Sequence, residues 1–229
     1  MSKQERATRT RNALIRSAAG LFEQHGYVQT GLTAISSGAE VSRGALTFHF
    51  ENKAAVARAV EQSAVHVLRR AARRATLWQG NAVQAMADMS HGFAYLLTED
   101  VVVRAGFRLN CDWAQGEIDL RREWQGCVQS RVTRAAADGA LRPDAELEDL
   151  VNTVTSATLG MEILGRRDRE WLSRRTVTGF WQQMLFAACT EQARAATDPK
   201  GGDEVLEQIA EIHRRFAPYI ASPESTPDQ

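Results

Sequence analysis

Residues 33–49 read TAISSGAEVSRGALTFH, with Leu32 before them and Phe50 after. The spacing predicts two short helices, 32–38 and 42–48, joined by a tight turn through Ala39, Glu40 and Val41. Ser42 stands where an N-cap belongs, and Thr30 or Gly31 offers one to the helix before it. Helices of two turns neither persist nor bury a face alone, so a third must lie behind them. Leu14, Ala18, Leu21 and Phe22, at i, i+4, i+7 and i+8, give that helix its apolar stripe over 8–25, and Gly26 stops it. Three such helices make a helix-turn-helix unit. Ile35, Ala39, Val41, Leu46 and Phe50 take its inward positions, and Phe48 is expected in the core with them. Left outside on the last helix are Ser42, Arg43, Gly44, Thr47 and His49. Such small or hydrogen-bonding groups suit a DNA major groove about 12 Å wide. Gly44 contributes by absence, since a side chain there would hold the backbone off the duplex.

Charge is distributed unevenly. Lys+Arg and Asp+Glu both number 28 in 229 residues, so the formal net charge is zero. Yet Lys3, Arg6, Arg9, Arg11 and Arg16 at the front face a lone acid, Glu5, while acids gather over 144–149 and 203–211. A basic front on a neutral chain fits one end that meets phosphate. Cys111, Cys127 and Cys189 are too scattered for a disulfide framework or a zinc site, and read most simply as buried thiols of a cytoplasmic protein. A redox role for one of them is the alternative. No run approaches a membrane span or a signal peptide, so no membrane partner is expected.

Helical periodicity continues beyond the front: 52–75, 82–97, 101–110, 119–138, 147–164, 169–195 and 203–216 read as helices. Residues 111–118 form a linker, 198–202 a break, and 222–229 a polar tail expected to be disordered. The expected fold is all-α, with a helix-turn-helix domain at 1–51 and a helical body for ligand binding and dimerisation at 52–221.

The front resembles a known family. RNALIRSAAGLF at 11–22, His25-Gly26-Tyr27, Val41-Ser42-Arg43-Gly44-Ala45-Leu46, Phe48-His49-Phe50 and Lys53 are similar, in spacing and identity, to the TetR family of one-component repressors. The resemblance spans 11–57. It implies that the third helix reads the major groove and that the N-terminus of the fourth rests on phosphate. It places Ser42, Arg43, Gly44, Thr47 and His49 on the DNA face and Lys53 on a phosphate. Tyr27 and Thr30 fall where family members touch or position the DNA backbone. Arg43 is the preferred base reader, because a guanidinium grips guanine bidentately for about 1–3 kcal/mol of discrimination. Arg6 and Arg9 would track phosphate or enter the minor groove as a flexible arm. For Arg43 and Lys53 the competing role is solvated surface charge, and for His49 a satisfied structural histidine. The departures are Thr47 where a tyrosine is usual, Glu40 where the turn commonly has glycine, and Gly31 where threonine is common. They bear on operator sequence and affinity.

The body holds no catalytic constellation, metal-ligand spacing or phosphate loop, so no enzyme activity, metal or cofactor is expected. It holds an aromatic and Met-bearing interior that includes Trp78 and Trp113. Phe93, Val103, Phe107, Leu109, Trp124, Val128, Val154, Thr158 and Met161 are its candidate ligand-pocket residues, with plain bundle core as the alternative. Gly44-Ala45-Leu46 with Phe48-His49-Phe50, then VRAGFRL at 103–109, then Glu123-Trp124, look like the γ-butyrolactone receptor branch found in Streptomyces. That branch implies a pocket helix carrying the R-A-G-x-R-L word and a ligand-lining tryptophan at Trp124. The shorter segment before Trp124 resembles the pseudo-receptors of the same branch, which answer antibiotics or bind no lactone. Implied partners are a pseudo-palindromic double-stranded operator, a small-molecule effector and a second copy of the chain. Val151, Val154, Leu159, Phe180, Met184 and Phe186 are candidates for the dimer interface, or for internal core.

Overall fold

The computed structural model describes residues 2–77, 81–112 and 118–216; Trp78, Trp113 and the tail 222–229 lie outside them. The described residues form α1 (Lys3–Gln29), α2 (Leu32–Gly38), α3 (Arg43–His49), α4 (Lys53–Leu77), α5 (Ala82–Glu99), α6 (Val101–Asp112), α7 (Leu120–Ala137) and α8 (Leu147–Gly165). A 3₁₀ turn (Arg169–Leu172), α9 (Arg174–Ala188), α10 (Glu191–Ala195) and α11 (Asp203–Phe216) follow. Among them the single strand-like pairing is an isolated bridge between Leu141 and Cys189. The all-α expectation holds. No described helix is long and apolar enough to cross a membrane.

Contacts gather the chain into two compact units. One comprises Met1–Val67, Asp100–Leu120 and the segment from Ile212; the other comprises Leu68–Glu99 and Arg121–Glu211. The cut expected at residue 51 does not follow compactness, because the start of α4 and all of α6 pack with the helix-turn-helix.

In the first unit, Leu14, Ile15 and Phe22 of α1, Ile35 of α2 and Leu46 of α3 are wholly buried. Two seven-residue helices depend on this cluster. Truncating a buried leucine such as Leu46 to alanine costs about 2–5 kcal/mol, a large part of a domain's stability. Close approach of α1 and α2 needs Gly38, where a Cβ would lie 2.5 Å from Ser17 Oγ. That hydroxyl donates to the Ile35 carbonyl at 2.8 Å.

α1 differs from its expected span at both ends. Ser2 caps it in a capping box with Glu5, so Arg6 and Arg9 are exposed on a helical turn and not on a flexible arm. Gly26 (φ +75) kinks the helix without ending it. Thr30 then closes it, its buried hydroxyl donating to the Gly26 carbonyl at 2.8 Å. Gly31, with no side-chain cap, is left to start α2.

α6 holds α1 from outside the helix-turn-helix. Arg104 pairs with the Glu23 carboxylate, and Arg108 Nη1 donates to the Glu23 carbonyl at 2.8 Å. Between these arginines, Gly106 lets α6 sit close: a Cβ there would lie 2.7 Å from Ala64 Cβ and 2.9 Å from Leu120 Cδ2. Val103, Phe107 and Leu109 are fully buried in the same unit.

In the second unit α5 is buried nearly all round, packed by α8, α9 and the 3₁₀ turn. The single helix expected over 169–195 is three pieces. Ser173 caps α9 through a bond from the Thr176 amide, and Thr190 caps α10 through one from Ala193. Between them Cys189 is extended and bridges to Leu141. Periodicity runs through both breaks because each cap residue is a small polar one.

Glu40 sits in the α2–α3 turn at φ 55, the one non-glycine with positive φ among the described residues. Left-handed strain of about 1–2 kcal/mol is partly offset by the lower chain entropy of a non-glycine when unfolded. Glu40→Gly is therefore expected to stabilise the protein by about 0.5–1 kcal/mol in urea unfolding. Gly106→Ala is expected to cost about 1–3 kcal/mol by overpacking against Ala64. A neutral Gly106→Ala would show that the α6 approach is not tight.

Candidate nucleic-acid interface

α3 begins at Ser42, whose Oγ accepts from the Ala45 amide at 3.1 Å. Arg43, Gly44, Thr47 and Phe48 are all exposed, and their i, i+1, i+4, i+5 spacing makes them one face. Arg43 Nη1 donates to Thr33 Oγ1 at 2.6 Å, which steadies the guanidinium against α2. A Cβ on Gly44 would meet only Ser42 Oγ, at 3.8 Å. Thr47 turns its hydroxyl back to the Gly44 carbonyl at 3.1 Å and presents its methyl.

Phe48 corrects the sequence reading. Expected in the core, it is 80 % exposed. Two residues along a helix is a turn of about 200°, so with Leu46 inward Phe48 must point out. It adds an aromatic ring to the face, able to meet a thymine methyl. The missed signal was its place four residues after Gly44, which the sequence had already put outside.

His49 is half-buried, edge-on to Phe48 with ring centroids 5.2 Å apart. Burial, then the nearby Arg11 charge, lowers its pKa, so the ring is neutral at pH 7. Arg11 itself lies over the Phe50 ring at 5.2 Å. Lys53 is engaged within the chain. Its Nζ donates to the carbonyls of Tyr27 (2.9 Å) and Val28 (3.2 Å) and lies 4.5 Å above the Tyr27 ring. The lysine thus ties the start of α4 to the end of α1, where carbonyls lack helical partners. Thr30, buried and bonded within α1, closes that helix and is not a surface contact.

The candidate pocket residues divide between the units. Val103, Phe107 and Leu109 belong to the first; Phe93, Trp124, Val128, Val154, Thr158 and Met161 belong to the second. There the Trp124 ring stacks on Phe93 at 4.2 Å, and its Nε1 donates to Thr158 Oγ1 at 2.7 Å. Val151 and Val154, candidates for a dimer interface, are buried within a single chain. The exposed large apolar residues of α8 and α9 are instead Leu147, Ile163 (53 % exposed), Leu164 and Phe186 (65 %), with Leu159, Phe180 and Met184 half-buried.

Residues 14–60 match the family model of bacterial regulatory proteins, tetR family. That match spans the helix-turn-helix and the start of α4. The whole chain is 24 % identical over 219 residues to the A-factor receptor protein of Streptomyces griseus, covering 94 % of this chain and 76 % of that one. A solved γ-butyrolactone receptor (ArpA-like protein) superposes with TM-score 0.73 at 24 % identity, over 92 % of this chain and 99 % of that one. The TetR-family protein CprB of Streptomyces coelicolor, solved with its operator sequence, gives TM-score 0.69 at 25 % identity over 92 % and 99 %. The relatives are named as regulators and receptors.

Lys53→Met keeps the stem and deletes the ammonium. It is expected to lower the unfolding free energy of the DNA-free protein by about 1 kcal/mol, from lost carbonyl capping and cation–π contact. Unchanged stability would leave phosphate as the only role for Lys53.

Proposed function

We propose that the chain is a homodimeric transcriptional repressor that reads a pseudo-palindromic operator and is released by a small molecule. The effector would be a γ-butyrolactone-type autoregulator or an antibiotic-like secondary metabolite. The observation that carries the proposal is the single exposed face of Arg43, Gly44, Thr47 and Phe48 on a capped helix held by a buried core. The relative solved with its operator supports the same reading.

On DNA, α3 would lie in the major groove with Arg43 reading a base, Phe48 and the Thr47 methyl meeting apolar base edges, and Ser42 and His49 near phosphate. A neutral His49 contributes a hydrogen bond and not a charge. Arg6 and Arg9 would face phosphate from the first turns of α1. One such helix buries too little for tight specific binding, so two are needed, on half-sites about one helical turn (~34 Å) apart. Ile163, Leu164 and Phe186 offer the apolar surface for a two-fold contact through α8 and α9. Ligand would favour a released conformation, and a few kcal/mol of differential affinity suffices. α4 is the element to carry the change, since its residues belong to both units.

A second reading is a pseudo-receptor that binds DNA as a dimer without a lactone, under a protein partner or another metabolite. The Trp124 environment favours it: the ring is already stacked and its N–H already bonded to Thr158.

Fluorescence anisotropy with DNA from upstream of the chain's own gene tests the proposal. Binding should weaken steeply with salt and be abolished by culture extract of the source organism. Arg43→Ala should lose about 10–100-fold in affinity, the 1–3 kcal/mol of one bidentate base contact. Trp124→Ala should keep DNA binding and lose release. Normal release of Trp124→Ala would remove that residue from the pocket, and extract-insensitive binding would favour the pseudo-receptor.

A further inference from the structure

Arg43 has a partner that nothing local in the sequence announces. It opens α3, and no other lysine or arginine lies between Gly31 and Asn52, so a cationic base reader on α2 or α3 has to be this side chain. Across the turn, ten residues away, Thr33 stands in the first turn of α2, and Arg43 Nη1 donates to its Oγ1 at 2.6 Å. Both residues are exposed.

An exposed bond of this kind adds little to folding, because water replaces it in the unfolded chain. Nor is it needed to join the two helices. Backbone bonds close the turn, from Ala39 to Ile35 (3.1 Å), Glu40 to Ser37 (3.0 Å) and Val41 to Ser36 (3.0 Å), and Ile35 and Leu46 are wholly buried. What the bond fixes is the guanidinium. Freezing a long, free side chain on binding weakens affinity by a factor of about 2–10. Held through Nη1, the group keeps the Nε and Nη2 donors of its other edge, a planar pair that matches guanine O6 and N7. The hydroxyls of α3 are otherwise engaged. Thr47 turns its own to the Arg43 and Gly44 carbonyls at 3.3 and 3.1 Å, and Ser42 Oγ accepts from the Ala45 amide.

We propose that Thr33 is the positioning residue for Arg43. It sets the guanidinium in its reading pose before DNA arrives, and so determines how sharply guanine is preferred at the base that Arg43 meets. This deepens the operator reading proposed above and rests on Arg43 being its base reader.

Selection of the full-length protein on a library of randomised duplexes tests the role, followed by anisotropy on the enriched duplex and on one with the guanine pair replaced. Thr33→Val keeps the shape and the β-branching and removes the acceptor. It is expected to lower the guanine preference about 2–10-fold and to leave binding to non-specific DNA unchanged. Thr33→Ser retains the hydroxyl and should restore the preference. In an Arg43→Ala background, Thr33→Val should change nothing further. A loss spread evenly over all duplexes and persisting in Arg43→Ala would make Thr33 a phosphate contact and overturn the role. A lowered urea midpoint of Thr33→Val would make the bond structural and overturn it too. NMR relaxation at Arg43 Nε in the DNA-free protein should show wild type and Thr33→Ser more rigid than Thr33→Val; equal mobility would overturn the positioning whatever happens on DNA. Guanine preference lost in Arg43→Ala but intact in Thr33→Val overturns the positioning alone. Preference unmoved by Arg43→Ala, or a library that yields no preferred sequence, overturns the base reading and the positioning with it.

Discussion

The helix-turn-helix depends on how α1 is held. α2 and α3 are two turns each and have no stability of their own, so they lie wherever the buried face of α1 puts them. α1 is fixed in turn at Glu23, whose carboxylate pairs with Arg104 and whose carbonyl accepts from Arg108. Gly106, between those arginines in sequence, lets the opposite side of α6 approach Ala64 of α4 and Leu120. Charge-assisted bonds in a partly buried setting contribute about 1.5–3 kcal/mol, more than exposed ion pairs. The R-A-G-F-R-L word is thus explained by what it grips, with its arginines on α1 and its apolar residues in the core.

Much of this was legible from residue spacing. Seven-residue helices at 32–38 and 43–49 follow from Ser42 as a cap and from the apolar positions Ile35 and Leu46. Helices α5 to α8 fall close to the spans their periodicity predicts, because long amphipathic segments carry the strongest local signal. What escaped was decided by tertiary contact. The double bond of Lys53 to the Tyr27 and Val28 carbonyls joins residues about 25 apart in sequence, and nothing local announces it. Phe48 went wrong because an aromatic residue was assigned by hydrophobicity where helical phase should have governed. Val154 is a core residue because α8 has two apolar faces, and hydrophobicity alone does not tell which one meets a neighbour.

The arginines of this neutral chain serve different ends, and burial sorts them. Arg11 is partly desolvated over Phe50, which lowers its pKa, and belongs to the support of α3. Arg6, Arg9 and Arg43 are exposed on the helix-turn-helix unit, as the proposed phosphate and base contacts require. Arg69, Arg73, Arg122 and Arg131 line a cleft in the other unit. Net charge hides this division, and only the distribution along helices reveals it.

The central claim is that two copies of α3, one from each of two chains, read one operator together. Sedimentation equilibrium of the full chain on a duplex containing the sequence upstream of its own gene tests that most directly. The account predicts two chains per duplex at saturation, and a duplex cut to one half-site should bind far more weakly. One chain per duplex with undiminished affinity for the half-site would contradict it.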